Sequence, residues 1–247
     1  MRWLFSNGLN KALFAIRHPI YAMRSLFREV LHADERFLSA VTGRSVSELR
    51  AFLDEPLATP EFFTNIQAAA KATRNVNDFG ADLYAKKVLL QYAAIRAFRP
   101  ETVVETGVAN GVSSSYVLLA LEKNGQGKLH SIDIGAASHL PEGKAIGWIV
   151  PQFLRHRWQL RIGDAKVLLP ELLAILGTID VFIHESLHVY DHMLWEFRTA
   201  YPHLNPGGLL FSDDALWNDA FPEFAEEIDA RQRMVVRGVG LLKKPLS

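Results

Sequence analysis

Glu105, Gly107 and Gly111 stand in the run Glu105-Thr-Gly-Val-Ala-Asn-Gly111, between an apolar stretch that reads as a strand and one that reads as a helix. Glycine at such a turn lets a bulky ligand approach the backbone beyond the strand end. Three residues separate the two glycines, so the pattern is not the G-x-G-x-x-G of dinucleotide sites. The leading carboxylate suits a cationic amino-acid moiety better than a pyrophosphate. Asp133 ends the next apolar run, where a carboxylate can accept both hydroxyls of a ribose. Ser113 and Ser114 open the helix after Gly111; a hydroxyl with free amides there can take a carboxylate, and helix capping serves Ser113 equally well. Two further segments concentrate carboxylates and imidazoles: Asp180-Val-Phe-Ile-His-Glu-Ser-Leu-His-Val-Tyr190 and Phe211-Ser-Asp-Asp-Ala-Leu-Trp217.

The elements that must position these residues follow from periodicity. Short apolar runs at 102–105, 128–132, 159–162, 179–183 and 208–211 alternate with amphipathic helical stretches, which predicts a parallel sheet covered on both faces. The runs 234–237 and 239–243 flank Gly238 and read as two strands joined by a tight turn. The fold class is therefore α/β, a Rossmann-like doubly wound sheet, mostly parallel with an antiparallel C-terminal strand. An N-terminal helical appendage precedes it. Its marks are Pro19 ahead of an Ile20, Met23, Phe27, Val30 stripe, a capping box at Ser45-Val-Ser-Glu48, and Thr59 before Pro60. A polar break at 75–78 places the boundary between residues 1–78 and 79–247, and a helical pattern from Leu83 to Phe98 opens the second part. The glycine-, proline- and tryptophan-bearing stretch 138–151 reads as a long loop, either a lid or an ordinary excursion.

This order of motifs resembles the class I S-adenosylmethionine-dependent methyltransferases over about residues 83 to 243. The resemblance implies that Glu105, Gly107, Gly111, Ser113 and Asp133 hold the cofactor. It also implies that Asp164, in Gly163-Asp-Ala165 after the third strand, holds the adenine amino group. The two acidic segments resemble the metal-dependent O-methyltransferases of the catechol and caffeoyl-coenzyme A type and their bacterial sugar O-methyltransferase relatives. Carried over, that likeness makes Glu185, Asp213 and Asp214 the metal ligands and His188 the base. His184 either faces the cofactor or packs. The chemistry is consistent: a hydroxyl is a poor nucleophile at neutral pH, and methyl transfer gains from an ion that polarises it and a base that takes its proton. Three carboxylates suit a hard divalent ion such as magnesium (Mg2+). Two departures stand out. Glu185 is longer than the family's aspartate and Asp214 replaces an amide, which makes the set more negative. The alternative for Asp213, Asp214 and His188 is helix capping.

Composition narrows the rest. Twenty-seven basic residues balance twenty-seven acidic ones, which disfavours a nucleic-acid substrate. The absence of cysteine removes thiolate ligands and thiol nucleophiles. Neither a bilayer-spanning run nor a signal-peptide core is visible, so a cytoplasmic location is expected. Residues 1–31 carry five basic side chains against the single Glu29; this basic helix, over 17–31, packs on the protein or touches an anionic membrane surface, and its Arg-rich, acid-poor composition also resembles an organellar transit peptide. The sequence thus predicts an O-methyltransferase using S-adenosylmethionine and magnesium on a small-molecule or glycan hydroxyl. Homo-oligomerisation stays open. A nicotinamide-dependent oxidoreductase and a non-catalytic cofactor-binding scaffold are the alternatives.

Overall fold

The computed structural model describes residues 33–73, 86–136, 140–236 and 238–246. The basic stripe at 17–31 and the polar break at 75–78 lie outside these residues. Among the described residues three helices come first: α1 (Ala33–Thr42), α2 (Val46–Asp54) and α3 (Pro60–Thr73). The expected capping box forms at α2, where Ser45 Oγ accepts from Glu48 N and Glu48 Oε2 accepts from Ser45 N. Thr59 precedes α3 as expected, but its hydroxyl donates to the Glu55 carbonyl.

The alternating part follows as α4 (Lys86–Phe98), β1 (Thr102–Thr106), α5 (Val112–Asn124), β2 (Lys128–Asp133), β3 (Trp158–Ile162), α6 (Ala165–Leu176), β4 (Ile179–His184), α7 (Tyr190–Ala200), β5 (Leu204–Ser212), α8 (Ala220–Glu227), β6 (Arg233–Val236) and β7 (Val239–Lys243). The strands form one sheet in the order β3-β2-β1-β4-β5-β7-β6. β1 to β5 are parallel, and β7 runs antiparallel to both neighbours. The doubly wound sheet with its reversed C-terminal strand is the architecture the sequence predicts.

Side-chain alternation along each strand divides the interior in two. Val103, Val181, Ile183, Leu209, Phe211 and Leu241 face one layer with α4 and α5. Val104, Phe182, Leu210 and Leu242 face the other with α6, α7 and α8. Leu38, Val41, Leu49, Phe62 and Ile66 of α1 to α3 are buried in the first layer, so these helices share a core with the sheet. Polar ties reinforce that packing. Arg96 on α4 holds Glu55 at 2.6 Å, and Lys243 on β7 donates to the Val41 carbonyl at 2.6 Å. The strand order reverses at β1, whose neighbours are β2 and β4, and this is where an open α/β sheet offers a crevice beyond its strand ends.

Candidate functional site

The turn after β1 is built around close contacts. Gly107 and Gly111 have φ of 85° and 86°, the left-handed region that glycine enters without strain. At Gly107 a Cβ would lie 2.2 Å from the Glu185 carbonyl oxygen, and at Gly111 it would lie 2.8 Å from Gly147 Cα. The first contact presses the glycine turn onto the end of β4, where Glu185 N also donates to Thr106 O at 2.8 Å. The second presses it onto the stretch expected as a lid. Gly147 N donates to Ala109 O, Ile149 N to Asn110 O, and the Trp148 indole to Asn110 Oδ1. Residues 140–151 thus dock on the glycine turn, with Ile149 and Val150 buried in the core; residues 137–139 lie outside the described part.

Glu105, at the fourth position of β1, is fully buried. Its Oε1 accepts from Ser114 Oγ at 2.6 Å and from Ser131 Oγ at 2.5 Å, while Oε2 has no hydrogen-bond partner among the described residues. Burial pushes its carboxyl up to about 7, partly offset by the two serine hydroxyls and helped by the charge of Asp133. An orphaned, buried carboxylate oxygen beside two glycines that exclude a Cβ fits a cationic group of a bound cofactor. Ser113 is buried one residue before the serine that meets Glu105.

The Asp133 carboxylate is tied to the glycine turn. Its Oδ2 accepts from Val108 N and Ala109 N, and Oδ1 accepts from Gly135 N at 2.7 Å. The carboxylate therefore shapes the glycine turn, with only its remaining lone pairs left for a ribose. Asp164 is exposed and is the N-cap of α6, its Oδ1 accepting from Lys166 N at 2.8 Å.

The acidic segments converge at the ends of β4 and β5. Ligand atoms of His188, Asp213 and Asp214 lie within 4.8 Å of one another. The grouping differs from the carried-over set: His188 stands with the two aspartates, and Glu185 is not in the group. Glu185 immediately follows β4 with its backbone turned toward Gly107, whereas His188 sits farther along the loop before α7. Helix capping does not account for these side chains. The N-cap of α7 is Val189, and that of α8 is Asp219 with Asn218 Oδ1 accepting from Ala220 N. Asp214 has φ of 45°, a conformation that few non-glycine residues adopt and that recurs at functional sites.

His184 is fully buried, its Nδ1 2.5 Å from Glu196 Oε2 and its Nε2 without a hydrogen-bond partner among the described residues. Its ring meets that of His188 edge-on, centroids 5.3 Å apart. Glu196, on α7, is also fully buried and accepts from Thr106, His184, Ser186 and His192. Burial opposes its charge, but the imidazole of His184 and the surrounding donors hold its carboxyl below the ordinary range. Sequence reasoning passes over Ser131 and Glu196. Ser131 is paired in register with Glu105 across β1 and β2. Glu196 leaves a legible signal, a carboxylate inside the buried stripe Met193, Leu194, Phe197, Ala200.

Residues 104–215 match the family described as a methyltransferase domain. Among curated relatives, demethylmacrocin O-methyltransferase of Streptomyces fradiae is 29% identical over 106 residues, 42% of this chain and 23% of the relative. The 8-demethyl-8-alpha-L-rhamnosyl tetracenomycin-C 2'-O-methyltransferase of Streptomyces olivaceus is 26% identical over 220 residues, 87% of this chain and 49% of the relative. The chain thus spans less than half the length of these relatives. Of solved structures, the S-adenosylhomocysteine-bound methyltransferase of Podospora anserina aligns with a TM-score of 0.54 at 15% identity, covering 73% of this chain and 87% of that one.

Proposed function

From the match of residues 104–215 to the methyltransferase domain family, we propose that the chain transfers a methyl group from S-adenosylmethionine to a hydroxyl of a small molecule, with a divalent ion assisting. The observation that carries this reading is the contact of Gly107 with the Glu185 carbonyl, which sets the cofactor turn directly against the loop bearing His188. A donor on one side and an acceptor hydroxyl on the other then face each other across the crevice between β1 and β4. Two matched relatives are named O-methyltransferases, and one name specifies a rhamnosyl compound, so a sugar hydroxyl on a larger apolar molecule is the acceptor class we favour. Leu187 and Val189, which flank His188, are 58% and 52% exposed and offer apolar surface to such an acceptor.

S-adenosylmethionine supplies an electrophilic methyl group, and a divalent ion held by Asp213 and Asp214 supplies polarisation of the hydroxyl. The chain's own residues do the rest. Glu105 Oε2 takes the amino-acid ammonium of the cofactor, Asp133 keeps the glycine turn in shape, and His188 accepts the hydroxyl proton. The stretch 140–151, docked on the glycine turn, would limit access of water, which competes as methyl acceptor. A second reading rests on the grouping of His188 with the aspartates: the imidazole is itself a ligand, which favours a softer ion such as iron or zinc over magnesium. His188→Ala separates the two, because a base variant keeps ion binding and a ligand variant loses it.

The test is transfer of a labelled methyl group from S-adenosylmethionine to a panel of rhamnosylated and otherwise glycosylated small molecules, with magnesium and with a chelator. Magnesium-dependent labelling of a sugar hydroxyl is expected. Labelling of nitrogen or carbon centres, unaffected by chelation, would overturn the hydroxyl and ion assignments.

A further inference from the structure

We infer that Glu196 is a positioning residue that locks the β4–α7 loop and so sets the ion site against the cofactor turn; this rests on the ion reading above. Its four donors come from different parts of the crevice. Oε2 accepts from Thr106 Oγ1 at 2.6 Å and His184 Nδ1 at 2.5 Å, the last residues of β1 and β4. Oε1 accepts from Ser186 Oγ and from His192 Nε2, both at 2.9 Å, which lie in the loop and on α7. One buried carboxylate thus ties the residue before Gly107, the residue before Glu185, the residue after Glu185, and the helix that follows His188.

The loop between β4 and α7 is short and without regular structure, with Leu187 and Val189 exposed. Little apolar packing fixes its middle, where Asn218 Nδ2 donates to the His188 carbonyl and Val189 N to the Leu187 carbonyl; the bonds to Glu196 hold its start and the helix that follows. Asp213 N donates to the His184 carbonyl at 2.9 Å, which carries the same constraint across to the aspartate pair. A buried charge can hold several donors at fixed geometry because each bond is strong in the low-dielectric interior and costly to leave unmade. Groups that orient metal-binding side chains in this way typically change ion affinity by about 10- to 100-fold when removed.

The test uses the full chain and two probes. Binding of manganese (Mn2+) is followed by loss of the free-ion electron paramagnetic resonance signal in the presence of S-adenosylhomocysteine, and binding of S-adenosylhomocysteine is followed by calorimetry. Glu196→Gln turns one oxygen into an amide that cannot accept, so at least one pair of donors loses its partner. Manganese affinity should fall about tenfold or more, with S-adenosylhomocysteine affinity retained, and Glu196→Asp should restore part of the loss. A merely structural role would lower thermal stability and both affinities together. If Glu196→Gln does not fold, Ser186→Ala with His192→Ala removes only the Oε1 donors, and the same selective loss is expected. A folded variant with unchanged manganese affinity overturns the positioning role. Wild-type protein that binds no manganese overturns the ion reading itself, and this inference with it.

Discussion

At the scale of single residues, Glu105 makes the sharpest claim about pH. Burial raises its carboxyl from 4.5 to about 7, so the folded chain favours the protonated form. Its contribution to stability is therefore complete below about 4.5 and is lost as pH rises through about 7, the reverse of a salt-bridged carboxylate. A bound ammonium favours the charged form and reverses that preference. We expect S-adenosylhomocysteine affinity to increase between about pH 6 and about pH 8, with proton release on binding near neutrality, measured by calorimetry in buffers of different ionisation enthalpy. Glu105→Gln should flatten the dependence and weaken binding by about 1–3 kcal/mol. His188→Ala should instead leave that binding intact and lower methyl transfer about 10²- to 10⁴-fold, with partial recovery at high pH where the acceptor hydroxyl ionises unaided. Equal transfer rates in wild type and variant would remove His188 from the chemistry.

At the scale of elements, the glycine turn is the test piece. Gly107→Ala places a Cβ 2.2 Å from the Glu185 carbonyl oxygen, so the turn or the β4–α7 loop must move. Cofactor binding should be lost and stability lowered by about 1–3 kcal/mol, the usual range for overpacking. Gly125→Ala is the control: its φ of 70° is equally positive, but nothing lies within 4 Å of the added atom. Its thermal stability should fall modestly, with affinity for S-adenosylhomocysteine unchanged. The sheet itself was legible because inner strands such as β1 and β4 are buried on both faces and read as near-continuous apolar runs, while β2 and β3 mix polar with apolar residues and are marked by their place in the alternation. β5 extends back to Leu204, through a proline and two glycines that hide the strand from a propensity reading. The partition of roles within the site was less legible. Asp133 folds back on the glycine turn and Asp164 caps α6 because backbone amides lie nearest to each, which spacing alone does not reveal.

At the scale of the molecule, α1 to α3 are bound to the sheet by a common core. Phe62 is 1% exposed and meets the Tyr116 ring edge-on at 5.1 Å, joining α3 to the helix that follows the glycine turn. Phe62→Ala should cost about 3–5 kcal/mol and lower one cooperative transition in urea, followed together by tryptophan fluorescence and circular dichroism. Two separate transitions would mark the helices as an independent unit. Among the described residues no helix is long and apolar enough to cross a membrane. The central claim concerns the crevice where the strand order reverses, and the most direct measurement is calorimetric titration of the purified chain with S-adenosylhomocysteine and, separately, with NAD. Saturable binding of S-adenosylhomocysteine that weakens in Glu105→Gln is expected, and none of NAD; binding of NAD without S-adenosylhomocysteine would contradict the cofactor assignment.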